Sequence, residues 1–427
     1  MSTTTCVSWG RWPVSDLPPC RSCGGGDLRG FLSLGETPLA DALLTPARLA
    51  SLETEPEPTF PLDVAFCPGC SLVQITEEVP PQQLFVDNYL YFSSFSPMVL
   101  AHSKAHVDGL VDSRGLGPAH LVVELASNDG YLLKQFLPHG VRVLGVDPAP
   151  DQAAAAREVG VPTVEEFFGV EVARRLRAEH GAADVIIANN VMAHVPELND
   201  FVGGIAELLA DDGLVTVENP WVRDLIEHGE FDTIYHEHFY YYSCTAVDAL
   251  VRRHEMYLND VEYFPDLHGG TLRWHIGKVE AVTDRARQML AAEHEAGVDT
   301  YPYYAHFAQR VEQTRSELRA LLERLKAEGA SIAAYGAAAK GSTMVNFVGL
   351  GTDLLDFVVD RNTHKHGTFM PGVHLPVRGV EALLEDQPDY CLILAWNFTD
   401  EIVQQQAGYV ARGGRFIRPV PHPVVLA

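Results

Sequence analysis

An α/β fold in three parts is what this sequence predicts: a small metal module ahead of two Rossmann-like domains. Three observations carry it. Two short cysteine pairs, Cys20-Arg21-Ser22-Cys23 and Cys67-Pro68-Gly69-Cys70, stand near the start. Strands and helices alternate from residue 120 to 220, and a second alternation opens at Ser331. The expected divisions are 1–80, 81–255 and 256–427. At 427 residues the chain exceeds what one ordinary core accommodates.

Composition narrows the class. Hydrophobic residues make up 47% and charged residues 21%, which describes a folded globular chain. The net charge of −26 weighs against nucleic acid as a partner. No apolar run approaches the roughly 18–20 residues a membrane span requires, so no membrane partner is expected. Met1-Ser2-Thr3-Thr4-Thr5-Cys6 lacks the basic stretch and apolar core of a secretory signal. Cys6, Cys244 and Cys391 are scattered, so a disulfide framework is not expected and a reducing cytoplasm fits. A monomer or weak oligomer is the expected state.

The two cysteine pairs suit a tetrahedral metal. Thiolates two residues apart grip one face of the ion, and Cys20, Cys23, Cys67 and Cys70 complete a Cys₄ shell. Gly24-Gly25-Gly26 and Pro68-Gly69 allow the tight turns this needs. A closed shell of four thiolates leaves no position for substrate, so the expected zinc is structural. The segment from Cys23 to Cys67 is longer than the usual ribbon insert of about 15–20 residues. Within it, Glu53-Thr54-Glu55-Pro56-Glu57-Pro58 reads as an exposed loop.

Beyond Pro80-Pro81 lies an aromatic stretch, Tyr89 to Phe95, and then a predicted helix from Met98 to about Leu110. Leu121–Leu125 reads as a buried strand, Ser127–Gly130 as a turn, and Tyr131–Leu137 as the start of a helix. Val143–Asp147 is the next strand, followed by an alanine-rich helix over Asp151–Val159. Asp184–Ala188 and Leu214–Glu218 are two more strands, with a helix over Leu198–Leu209 between them. Alternating βαβ units imply a parallel sheet covered on both faces. One long helical stretch is expected from about Thr283 to Glu328. Ser331–Gly336 is then a strand entering a small-residue turn, and Leu354–Asp360 and Tyr390–Ala395 follow as strands.

Ligands of open α/β sheets bind at the carboxyl ends of the strands. The turn Glu124-Leu125-Ala126-Ser127-Asn128-Asp129-Gly130 lies at such an end, but Ala126 and Asn128 stand where a dinucleotide fingerprint would carry glycine. Asp147, about 20 residues on, is the acid expected at ribose hydroxyls. Glu124, Ala126, Asn128, Gly130, Asp147 and Asn189 are the candidate cofactor residues. A capped βα turn with no ligand is the competing explanation. Ala188-Asn189-Asn190-Val191-Met192-Ala193-His194 ends another strand with polar groups and an imidazole.

Together these segments resemble the S-adenosylmethionine-dependent methyltransferases. More narrowly, the chain is similar to the zinc-containing sugar C-methyltransferases that act on dTDP-deoxysugars at C-3' in antibiotic biosynthesis. The likeness rests on the ordered set of the cysteine pairs, Tyr89-x-Tyr91-x-Ser93-Ser94, Glu124-x-Ala-Ser-Asn-Asp-Gly130, Ala188–His194, Tyr235-His236-Glu237-His238 and Tyr335-Gly336-Ala337-Ala338-Ala339-Lys340-Gly341. It runs from about Cys20 to the end. The segment before Cys20, with Trp9 and Trp12, has no counterpart. The resemblance implies S-adenosylmethionine and zinc as cofactors, a dTDP-linked keto-deoxysugar as substrate, and a C-terminal domain that helps hold it.

Tyr235 to Tyr242 gathers two imidazoles, a carboxylate and four phenols. Methylating a carbon beside a ketone needs a base for the α proton and donors for the enolate. Imidazole titrates near neutral pH and suits the first role. The resemblance singles out His238 as base, with Glu237, Tyr235, His194 and Tyr89 as site residues around it. A metal site from His236, Glu237 and His238 is disfavoured, because the run lacks the His-Glu-x-x-His spacing. Simple strand alternation would instead send His236 and His238 to one face and Glu237 to the other.

In the last block, small residues where a strand meets a helix let backbone amides approach a diphosphate. Gly336, Lys340 and Gly341 are the candidates there, though tight helix–sheet packing explains the glycines equally well. His364, Lys365 and His366 read as a solvated loop. A nicotinamide-dependent nucleotide-sugar dehydrogenase or epimerase is the alternative enzyme, opposed by the missing glycine fingerprint. A zinc module on a degenerate scaffold is the non-enzymatic alternative, opposed by the intact Asp147, Tyr235, Glu237 and His238.

Overall fold

Two knuckles of matching geometry open the chain in the computed structural model, which describes residues 17–80, 92–267 and 269–426. Gly24 N–H donates to the Cys20 carbonyl at 2.8 Å, and Ser71 N–H donates to that of Cys67 at 2.8 Å. Both turns close in the left-handed region, at φ 73° for Gly24 and 61° for Ser71. Strands β1 (Arg29–Thr37), β2 (Phe60–Phe66) and β3 (Val73–Ile75) run antiparallel in that order. The long insert between the cysteine pairs is therefore β1, β2 and a short helix, Pro46–Ser51, capped by Thr45. Trp9, Trp12, Tyr89 and Tyr91 lie outside the described residues.

Parallel strands β4 (Leu121–Leu125), β5 (Arg142–Val146), β6 (Thr163–Val164), β7 (Ala183–Asn189) and β8 (Leu209–Pro220) follow. Their central members are buried on both faces, as their continuous apolar runs require. Then β9 (Tyr240–Tyr241) leaves this sheet and pairs antiparallel with β3, Tyr241 opposite Val73 and Tyr240 opposite Gln74. The chain returns as β10 (Tyr257–Phe264) and β11 (Thr271–Gly277). The central sheet has seven strands in the order β10-β11-β8-β7-β4-β5-β6. Residues 257–277, placed with the C-terminal domain on sequence grounds, thus complete the central sheet. An antiparallel hairpin added after the βα alternation ends carries no periodic signal of its membership.

The helical stretch expected over 283–328 consists of two helices, Asp284–Ala296 and Tyr301–Ala327. Gly297 at φ 81° caps the first, and Pro302 occupies the first turn of the second. The C-terminal sheet holds β12 (Ile332–Tyr335), β13 (Val358–Asp360), β14 (Val377–Gly379), β15 (Tyr390–Ile393), β16 (Arg415–Arg418) and β17 (Val424–Val425). Their order is β14-β13-β12-β15-β16-β17, parallel except for β17.

The three parts share one apolar core, in which Phe66, Ile226, Tyr304 and Val345 are all buried. Tyr304, on the long helix, stacks on Phe66 of the metal module with ring centroids 4.8 Å apart. The module reaches the C-terminal domain through the Leu44–Phe369 bridge and the Glu57–His374 pair at 3.0 Å.

Candidate active site

The turn after β4 sets the floor of the site. Ala126, Asn128 and Gly130 take φ values of 54°, 49° and 72°. The turn thus adopts a glycine-like left-handed path at two positions that lack glycine. Asn128 N–H donates to Asp147 Oδ2 at 2.8 Å and Ala149 N–H to Asp147 Oδ1 at 2.9 Å, so the acid after β5 ties the two strand ends together. The Asn128 side chain accepts from Ser93 N–H at 2.9 Å, which draws the segment before the helix Pro97–Arg114 onto the turn.

Above these ends lies a cleft of about 1210 Å³, open mouth included. Ala126, Asn128, Asp147, Asn189 and His194 line it, as do His102, Phe168 and Glu218. Glu124 and Gly130 do not. Glu124 is buried beneath the turn, and burial, then Asp147 and Asp129, hold its carboxyl well above the usual range. A Cβ on Gly130 would stand 3.2 Å from the Ala156 Cβ, so that glycine serves the packing of the helix Pro150–Glu158. The cleft is rich in acceptors. Asp147 and Glu218 flank it, and the buried Asn189 Oδ1 has no hydrogen-bond partner among the described residues. Such a lining fits a cationic nucleoside such as S-adenosylmethionine, whose sulfonium and ammonium groups meet acceptors there.

Tyr235–Phe239 is an irregular segment, so the strand alternation expected for it does not apply. Instead its side chains diverge. His236 is buried toward the metal module, its Nε2 donating to the Pro61 carbonyl at 3.1 Å. His238 Nδ1 donates to the Thr233 carbonyl at 3.1 Å, which leaves Nε2 with the lone pair, 3.1 Å from the Tyr235 hydroxyl. The His238 and His194 rings meet edge to face, 4.7 Å between centroids. His194 Nδ1 donates to the Glu237 carbonyl at 2.6 Å. Burial, only partly opposed by that bond, pulls its pKa down to about 4, so His194 is neutral near pH 7. Burial, and next the Asp41 carboxylate, push the Glu237 carboxyl far above its ordinary range. Glu237 Oε2 finds no partner among the described residues.

The C-terminal turn is closely packed. A Cβ on Gly341 would stand 2.6 Å from the Gly336 carbonyl oxygen, and one on Gly336 (φ 105°) 3.0 Å from the Ala395 Cβ. These glycines let the helix Ala339–Val348 press on the sheet. Lys340 Nζ lies 5.2 Å from the Trp396 ring centroid and attracts Glu230 and Asp232. Burial nonetheless raises those two carboxyls to about 7 and about 6. Trp396 Nε1 donates to Asp232 Oδ2 at 2.7 Å, one residue from the carbonyl that orients His238.

The four metal-type thiols converge. Cys20 and Cys70 sulfurs are 3.6 Å apart, Cys23 and Cys67 3.5 Å, and all four lie within 4.8 Å of one another. Zinc–sulfur bonds of about 2.3 Å give a tetrahedral edge of about 3.8 Å. The set fits one zinc ion with no open position.

Sequence reasoning missed Glu218 and His102 as lining residues, and also Arg273, Asp41 and Asp232, which stand beside Glu218, Glu237 and Trp396. The end of a strand was visible for Glu218, but its partners lie on distant segments.

A cofactor cleft over parallel strand ends, an imidazole–phenol segment beside it and a four-thiolate module together define a methyltransferase with a zinc-binding domain. Matching domain families agree: a zinc binding domain over residues 20–85, a methyltransferase domain over 112–257 and a C-methyltransferase C-terminal domain over 266–421. C-methyltransferase NovU of Streptomyces niveus is 36% identical over 417 residues, covering 97% of this chain and 98% of that protein. The chain belongs to this family of S-adenosylmethionine-dependent, zinc-containing C-methyltransferases, and the dehydrogenase alternative falls away. Among solved structures, magnesium protoporphyrin IX methyltransferase of Synechocystis PCC 6803 with bound SAH is 13% identical, with a TM-score of 0.35 over 46% of this chain and 92% of that one. A SAM-dependent methyltransferase from Anabaena variabilis is 15% identical, with a TM-score of 0.32 over 41% of this chain and 84% of that one. Among the described residues, no helix is long and apolar enough to cross a membrane.

Proposed function

We propose that the enzyme methylates a ring carbon, C-3', α to the keto group of a dTDP-linked deoxysugar through a base-generated enolate, in the cytoplasm. One observation carries the reading: His238 has its Nδ1 anchored on a backbone carbonyl and its Nε2 lone pair held beside a phenol, against the wall of the cofactor cleft. This is how an imidazole is oriented to act as a base. Nε2 removes the α proton, the C–H electron pair moves into a C=C bond, and the ketone oxygen becomes the enolate oxygen. The Tyr235 hydroxyl is a donor for that oxygen, and Tyr89 is a second candidate. S-adenosylmethionine, when bound, supplies an electrophilic methyl group. Neutral His194 fixes the backbone of Glu237 and so the segment carrying the base. For the nucleotide diphosphate, the amides opening the helix Ala339–Val348 are the candidate donors, with Lys365, whose Nζ bonds the Ala337 carbonyl at 2.7 Å, beside them. Lys340 is the other candidate there.

The test is to incubate the enzyme with S-adenosylmethionine and a panel of dTDP-linked 4-keto-deoxysugars and locate the new methyl by NMR. A methyl at C-3' is expected, with turnover falling by about 10²–10⁴ in His238→Asn. A methyl on oxygen, or a His238→Asn enzyme within about threefold of wild type, overturns the reading.

A further inference from the structure

We propose that Glu218 binds the α-ammonium group of the methionine tail of S-adenosylmethionine, with His102 and Arg273 holding its carboxylate in position. The reading rests on cofactor dependence alone and not on the sugar.

The direction of the cofactor follows from the sheet. Asp147 ends β5 and is the acid placed for the ribose, and Phe167 and Phe168, beyond β6, line the same side of the cleft. From there the order β5-β4-β7-β8 carries the cleft across three strand steps, about 14 Å at ordinary spacing. Glu218 lies at the far side, directly opposite Asn189 in the β7–β8 register. With both side chains reaching inward, that gap suits a ribose at one end and an extended amino-acid tail at the other.

The far end is built for a cation. Glu218 is 2% exposed, yet its Oε1 takes a hydrogen bond from Arg273 Nε at 2.6 Å and from His102 at 3.0 Å. Among the described residues, Oε2 is met by His102 alone, at 3.1 Å, which leaves it acceptor capacity. Burial is the largest influence on this carboxyl and opposes ionisation, but His102 and Arg273 together pull its pKa down to about 2. Arg273 is in turn fixed over the Phe264 ring at 4.7 Å and paired with Glu262 at 3.3 Å. A charge secured this firmly does not shift with the ligand. It faces a cleft whose lining carries a second carboxylate, Asp147, and, among the described residues, no lysine or arginine, so an ammonium is the complementary partner.

Calorimetry with two ligands tests it. S-adenosylhomocysteine carries the tail, whereas 5'-methylthioadenosine keeps the adenosine and sulfur but ends in a methyl group. In Glu218→Gln, affinity for S-adenosylhomocysteine should fall about tenfold or more, as expected for a lost charged hydrogen bond, while methylthioadenosine stays within about twofold. Glu218→Asp keeps the charge and should recover part of the loss. Equal weakening of both ligands, no weakening of S-adenosylhomocysteine, or an Asp variant no better than Gln each overturns the assignment.

Discussion

Ala126 and Asn128 hold left-handed backbone angles that cost a non-glycine residue on the order of 1–2 kcal/mol. Asp147 offsets this by accepting both the Asn128 and Ala149 amides. Replacing it leaves two buried amides unpaired and, if Asp147 is the ribose acid proposed for it, removes that contact as well. Asp147→Ala should therefore weaken S-adenosylhomocysteine binding and lower stability by about 1–3 kcal/mol. Calorimetry and denaturant titration read the two separately, and an unchanged affinity would remove Asp147 from the ribose. Asp147 was legible in the sequence because its distance from the first strand is set by one βα unit. Glu218 was not, because its value as an anion comes from His102 and Arg273, which only the folded sheet brings to it.

Glu237 offers a pH signature at the same scale. Its carboxyl is raised in the folded protein, so folding favours its protonated form. That stability is present below the ordinary carboxyl pKa and is lost as pH rises through the raised value. Glu237→Gln has no proton to lose there. Its melting temperature should exceed that of wild type at pH 9 and converge with it toward pH 4, even as activity falls. A wild-type and variant difference that stays constant across this range would contradict the burial of an ionisable Glu237.

Among elements, the helix Ala339–Val348 shows how closely a glycine can be required. The Gly341 position leaves no room for a methyl group beneath the Gly336 carbonyl. Gly341→Ala should cost about 1–3 kcal/mol by overpacking, measured as a lower denaturation midpoint. A neutral result would mean that the helix shifts freely on its sheet. The alternation of β4 to β8 was readable because buried parallel strands are continuous apolar runs. That the hairpin β10–β11 joins the central sheet was not legible, because Tyr257–Phe264 alternates irregularly and says nothing about which sheet it joins. The irregular path of Tyr235–Phe239 was hidden for a related reason: its backbone is set by the Thr233 and Glu237 carbonyls receiving imidazole donors.

For the molecule as a whole, the zinc module is joined to the chemistry. Its sheet takes β9 as a fourth strand, and β9 begins two residues after His238. Removing zinc with a chelator should therefore abolish turnover while S-adenosylhomocysteine still binds, because the cleft is built on the other sheet. Retained turnover in zinc-free protein would show that β9 holds its place without the module. The cysteine pairs announced the metal, but nothing local in Tyr240-Tyr241 announces a partner strand near residue 74.

The pairing of β3 with β9 also bears on how the enzyme comes into being. During synthesis the zinc knuckles and β1 to β3 emerge early, yet their sheet stays one strand short until Tyr240 and Tyr241 leave the ribosome. Closing so long a loop is a slow, non-local step in folding. The segment that carries His238, the proposed base, is set only when that loop closes, so on that reading a nascent or partly folded chain has no organised proton acceptor beside its cofactor cleft.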